Sequence, residues 1–179
     1  MLKRQSRHLA LLLVLTMLAT MFVGVGVAQA KSVNGINKII SVADGYDAKD
    51  SGIVLTMKED SDFIDHFQDG DVFELVLPDG VKWNDVAFMN ANATGATVEK
   101  VSSKVVQVTM AGMDDSVKDV IIIPLSFEVD GATGTLAVTI DPLDSAVTGG
   151  EYTFARVAEG DMTATVDSVK KIARNSSNQ

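Results

Sequence analysis

The chain has 179 residues, no cysteine and a formal net charge of −9, with twenty-four acidic side chains against fifteen basic ones. Without cysteine there are no disulfides, thiolate nucleophiles, cysteine-ligated zinc sites or iron–sulfur clusters. The acidity opposes binding to nucleic acid and to anionic lipid surfaces.

At the amino terminus Lys3, Arg4 and Arg7 precede an apolar run over residues 9–27, interrupted by Thr16, Thr20 and two glycines. Ala28, Gln29 and Ala30 then supply the small-x-small pattern of a signal-peptidase site. Residues 1–30 are therefore expected to be a cleaved signal peptide that exports the protein to the cell surface or the extracellular space. The apolar run is also of a length to span a bilayer as an uncleaved anchor, at ~20 residues per crossing. The glycines and the Ala-Gln-Ala site favour cleavage. Removing the leader leaves twelve basic against twenty-four acidic residues, a charge of −12. No later apolar run approaches ~18 residues, so the mature chain is expected to stay out of the membrane.

From residue 31 onward, alternation of apolar and polar residues dominates. Strands are predicted over residues 37–42, 52–58, 71–77 and 81–83, the last two separated by the Pro78, Asp79, Gly80 turn. Residues 97–101 and 104–110 flank Ser102 and Ser103 as a tight hairpin. Residues 119–129 turn at Asp130 and Gly131 into a strand over 134–140, and residues 151–157 and 162–169 flank a turn at Glu159, Gly160 and Asp161. Helical candidates are short, residues 61–68 and 113–118. About nine strands separated by Gly, Asp, Asn and Ser turns predict an all-β fold, a two-sheet antiparallel β-sandwich of Ig-like or cohesin-like pattern, with a jelly roll as a variant. A single domain spans residues 31–172, followed by a polar tail at 173–179. The apolar run from Val120 to Leu125 is read as a core strand with a bulge at Pro124; the other reading is a strand that meets a second subunit.

Chemistry-bearing residues are sparse. His66 is the single histidine after the leader, in an acid-rich stretch where a solvated loop residue is the simpler reading than a catalytic base. One histidine cannot build a multi-imidazole zinc or copper site. The one Trp, Trp83, alternates with Val81 and is expected in the core. Few aromatics argue against a sugar-binding platform, and no catalytic residue is predicted. Two acid-rich stretches are the candidates for calcium, with Asp44, Asp47 and Asp50 in one and Asp60 and Asp62 in the other. Neither follows the EF-hand order, and solvated turns are the competing reading.

The segments at 33–44 (Val-Asn-Gly-Ile-Asn-Lys-Ile-Ile-Ser-Val-Ala-Asp), 78–83 (Pro-Asp-Gly-Val-Lys-Trp) and 150–158 (Gly-Glu-Tyr-Thr-Phe-Ala-Arg-Val-Ala) resemble a secreted module of Gram-positive, clostridia-like bacteria. That module often precedes copper amine oxidase-type N-terminal domains or surface-layer modules. The resemblance implies a secreted sandwich and carries over no catalytic residue and no copper. The chain shows no sortase motif and no surface-layer anchor, so it is expected to act alone or by joining copies of itself or other surface proteins. Residues 31–42 suggest the means. Ile36, Ile39 and Ile40 sit on a polar-flanked arm that can complete a neighbouring subunit's sheet by strand addition, or form the sandwich's own first strand. The expected role is structural and non-enzymatic, a cell-surface or filament subunit. The alternative is a monomeric secreted module that binds a wall polymer, a glycan or a partner protein.

Overall fold

The computed structural model describes residues 32–60, 62 and 65–158. The predicted leader, the strand over 162–169 with its turn at 159–161, and the polar tail lie outside them. The described residues form twelve strands and one short helix. In chain order these are β1 (Ser32–Ile36), β2 (Ile40–Val42), β3 (Asp47–Ala48), β4 (Val54–Glu59), β5 (Val72–Val76), β6 (Val81–Trp83), α1 (Val86–Asn92), β7 (Ala96–Lys100), β8 (Val105–Met110), β9 (Val120–Pro124), β10 (Phe127–Val129), β11 (Thr135–Asp141) and β12 (Gly150–Val157). The all-β sandwich-like fold expected from alternation is present. The strand number rises because the predicted arm splits into β1 and β2, the 119–129 run splits into β9 and β10, and β3 adds a two-residue strand in an acid-rich turn.

One layer is a six-stranded sheet, ordered β2-β12-β11-β5-β8-β7. Two three-stranded sheets, β1-β4-β9 and β3-β10-β6, supply the remaining strands. The chain passes from the first of these to the second at Leu125 and Ser126, where the Leu125 N–H donates to the Ile53 carbonyl at 2.9 Å. Pro124 ends β9 at this crossing, a position that demands no ladder donor. Period-two burial fills the interior. Leu55 and Met57, Phe73 and Leu75, Val106 and Val108, Ile121 and Ile123, and Leu136, Val138 and Ile140 are all buried. The run from Val120 to Leu125 is thus half-buried, with Ile122 bonded instead to Thr94 through an isolated bridge. A register shift between Leu136 and Ala137 leaves β12 one residue longer than its partner there. Two consecutive residues, Phe154 and Ala155, are consequently buried. Phe154 meets Phe127 of β10 edge-on, with centroids 4.8 Å apart, and Phe127 also meets Tyr46 at 5.3 Å. Trp83 is buried as expected, and its indole N–H donates to the Lys104 carbonyl at 2.9 Å.

The helix departs from the sequence-based expectation. Residues 62 and 65 are turns and residues 113–118 are not helical. In the second stretch the Asp114 carboxylate accepts from the Ser116 N–H at 2.9 Å and from its hydroxyl at 2.6 Å, a local turn that competes with helix. The helix forms instead at α1, where the Asp85 side chain caps the Phe88 N–H at 2.7 Å and Met89 is buried. Seven residues are too few for a helix stable by itself, so tertiary packing holds it.

Gly80 has φ +75°, and a Cβ there would lie 2.5 Å from the Ala132 nitrogen. Gly112 has φ +78° but open space around it. Gly80→Ala is therefore expected to cost at least ~2 kcal/mol, and Gly112→Ala about 1 kcal/mol, the left-handed backbone penalty alone. Urea unfolding measures both; equal losses would mean that Ala132 yields to the new methyl group.

Candidate functional site

The amino-terminal arm is the first of two places where the sequence put functional residues. β1 runs antiparallel to β4, from Ser32 opposite Glu59 to Ile36 opposite Leu55. Because Leu55, Met57 and Glu59 point inward, their partners Ile36, Asn34 and Ser32 do too, and Val33 and Gly35 face out. The inward face of β1 is therefore mostly polar, while apolar Val33 is 61% exposed.

A polar clasp holds that face to the segment before β12. The Ser32 N–H donates to Thr148 Oγ1 at 3.1 Å, and the Thr148 N–H donates to Ser32 Oγ at 2.8 Å. The Thr148 hydroxyl also donates to the Ser32 carbonyl at 2.8 Å. Asn34 Nδ2 donates to the Thr148 carbonyl at 2.7 Å and to the Tyr152 hydroxyl at 3.0 Å. Asn37 extends the ladder, its N–H donating to the Val54 carbonyl at 3.1 Å and its Oδ1 accepting from the Val54 N–H at 2.8 Å. After residues 38–39 the chain enters the other layer, where β2 lies parallel to β12, from Ile40 opposite Ala155 to Val42 opposite Val157. Of the three isoleucines singled out in the sequence, Ile36 and Ile40 pack partly against the core, and Ile39 is 53% exposed. Val42, fully buried, is the anchor of β2 and was not among them.

Four of the five acids singled out for calcium accept separate hydrogen bonds, and Asp62 contributes its main-chain N–H to one of them. Asp44 Oδ1 accepts from the Gly131 N–H at 2.7 Å, Asp47 Oδ1 from the Asn84 side-chain amide, and Asp50 Oδ1 from the Gly52 N–H at 2.8 Å. Asp60 Oδ1 accepts from the Asp62 N–H at 3.1 Å. The Asp50 and Asp60 bonds build local turns, whereas those of Asp44 and Asp47 tie the loop to distant segments. Among the described residues no group of three or more acidic, histidine or cysteine side chains is arranged to hold a metal ion.

The residue that organises the acidic loops is Glu59, which reading the stretch as solvated turns missed. Its side chain continues the inward alternation of Leu55 and Met57, and it is only 2% exposed. Oε1 accepts from the His66 and Phe67 N–H groups at 2.9 and 2.7 Å, and Oε2 from the Asp119 N–H at 3.0 Å. One carboxylate thereby ties the 60–71 loop to the 111–119 loop. Gln68 Nε2 adds a bond to Asp115 at 3.2 Å, and Asp69 Oδ1 accepts from the Met113 N–H at 2.9 Å. Asp119 is held above the ordinary carboxylate pKa of 3.8, chiefly by burial and also by repulsion from Glu59, Asp114 and Asp115, against an opposing bond from the Asp114 N–H. The His66 imidazole lies 3.9 Å from Asp65 Oδ1.

Two open grooves of about 400 Å³ accompany these features. One is lined by Val33, Lys58, Glu59, Asp60, Lys118 and Val120, the other by Asp44, Gly131, Thr133, Gly134 and Val157 among others. Every buried side-chain nitrogen or oxygen among the described residues has a partner. No protein-family model matches the chain, and no curated protein matches it at a significant level.

Glu59→Gln replaces one acceptor oxygen by an NH₂ group facing backbone donors, and is expected to cost about 2–3 kcal/mol in urea unfolding. Asp119→Asn should act in the opposite direction. A raised folded-state pKa means that the native protein holds this proton more tightly than the unfolded chain. Asp119 therefore lowers stability as pH climbs from 3.8 through its raised value, and the loss persists at neutral pH. Thermal melts are expected to show Asp119→Asn gaining on the wild type across that window and holding the gain at pH 7; a constant difference at all pH values would exclude the electrostatic cause.

Proposed function

We propose that this protein is a non-enzymatic structural module of the cell surface or of an extracellular filament, whose copies join one another by strand addition at a sheet edge. The observation that carries this reading is how thinly β1 is attached. It makes a five-pair ladder with β4, yet Ile36 is the one apolar side chain it turns inward. Strands with comparable ladders, such as β4 and β5, bury two large apolar side chains each. Releasing β1 thus costs backbone bonds and a polar clasp but little apolar burial. It leaves β4 as a bare edge, and a bare edge is a template for another strand. The leader-like residues 1–30 and the resemblance to secreted sandwich modules support an extracellular setting. The cysteine-free composition fits a domain that gains durability through assembly rather than through covalent crosslinks.

Sedimentation velocity and negative-stain microscopy of residues 31–179, over a wide concentration range, test the proposal. Polymers whose mass grows with concentration are expected. A sharp monomer at every concentration would overturn the reading in favour of a monomeric module that binds a wall polymer, a glycan or a partner protein.

A further inference from the structure

We infer that the joint between copies is an exchange of β1 alone, pivoting at residues 38–39, so that Ser32–Ile36 of one copy docks on β4 of the next in the register it holds within its own chain. The inference rests on the self-association proposed above and specifies its donor, its acceptor and its hinge.

The acceptor is a slot with two walls. The edge of β4 forms one, and the Thr148 backbone and hydroxyl with the Tyr152 hydroxyl form the other. The slot reads its strand through Ser32, which both donates to and accepts from Thr148, and through Asn34, whose amide reaches the Thr148 carbonyl and the Tyr152 hydroxyl. A second copy of this chain carries that same pattern, and its arm fits without any new contact chemistry. The two halves of the arm are anchored in different ways. β1 is held by main-chain and polar bonds, whereas β2 is fixed by buried Val42 and by the Ala158 N–H donating to the Val42 carbonyl at 2.8 Å. Asn37 is bonded to Val54 and Gly52 and so belongs with the part that leaves. Lys38 and Ile39 alone lie between that part and β2. A connection this short, forced to turn between layers, is the kind that favours swapping over self-pairing.

Gly35 and Thr56 face each other across the β1–β4 ladder, and a Cβ on Gly35 meets nothing within 4 Å. Antiparallel neighbours of this kind lie within disulfide range, and the natural chain has no cysteine to compete. A Gly35→Cys chain mixed with a Thr56→Cys chain, assembled and then oxidised, is expected to yield a disulfide joining position 35 of one chain to position 56 of another, identified by peptide mass spectrometry. The double variant, oxidised at high dilution, is expected to lock β1 in its own chain and lose assembly until reduced. Assembly by the locked double variant, or assembly of the mixed chains without the interchain link, would overturn β1 exchange while leaving self-association standing. A monomeric wild type would remove both. Val33→Cys with Lys58→Cys, an outward-facing pair in the same ladder, repeats the test if the first pair fails to fold.

Discussion

A strand at the rim of a sheet has backbone N–H and C=O groups with no ladder partner, and among the described residues three sheets present six rims to manage. The short helix α1 serves two of them. Its Asn90 accepts the outward N–H of Val98 on β7 at 2.9 Å. The residue just past its cap, Thr94, exchanges bonds of 2.9 and 3.0 Å with Ile122 on β9. Trp83 serves a third rim, its main-chain N–H donating to the Ser103 carbonyl at 2.8 Å and so joining β6 to the turn between β7 and β8. These closures belong to segments that bury Met89 and Trp83 in the core. The rim at β1 differs in kind, since its cover is made of Ser32, Asn34 and Thr148 side chains and its strand carries little of the core.

Buried acid chemistry provides the second organising element. Several carboxylates accept backbone N–H bonds: those of Asp50, Asp60 and Asp114 fix local turns, and those of Glu59 and Asp44 join segments farther apart in the sequence. Three lysines also pair with aspartates, Lys49 with Asp85, Lys82 with Asp130 and Lys104 with Asp79. These pairs are solvent-exposed and contribute little beyond holding Asp79, Asp85 and Asp130 below the ordinary carboxylate range. Glu59 matters more because it is desolvated and bonds three donors from two loops. The acidity of the sequence is thus partly structural, and the 59–71 stretch is fastened to the body of the domain at its first residue.

The sandwich was legible because period-two alternation survives in β4, β5, β8 and β11, where every inward residue except Glu59 is apolar. Trp83 was legible for the same reason. Glu59 was legible in principle, since it extends the Leu55, Met57 series by one step, but counting neighbouring acids obscured that position. The helix was hidden by its length. Its signal is the Asp85 cap followed by Val86, Ala87, Phe88 and Met89, and about two turns of periodicity are not distinguishable from strand alternation. The bulge that turns both Phe154 and Ala155 inward leaves no local mark at all, because it depends on the register with β11. Ile36, Ile39 and Ile40 drew attention through hydrophobicity, yet the arm's hold on the body is polar. Ser32, Asn34 and Thr148 carry it, and residues 116 positions apart in sequence cannot be paired by reading along the chain.

The proposed exchange of β1 has a particular energetic form. The ladder and the clasp broken in one chain are remade on the next, so those terms nearly cancel. What remains is the change in conformation of residues 38–39, set against the entropy of association and the mutual repulsion of mature chains carrying a net charge of −12. The repulsion acts over roughly 8 Å at physiological ionic strength, so salt would aid assembly without any specific ion. Direction follows from the same geometry. Each copy that gives up its strand vacates one slot and offers one donor, which makes the contact heterologous. Closing two such copies into a ring requires both hinges to fold back within the reach of two residues, about 7 Å. Where the contact does not close in this way, it propagates as a filament.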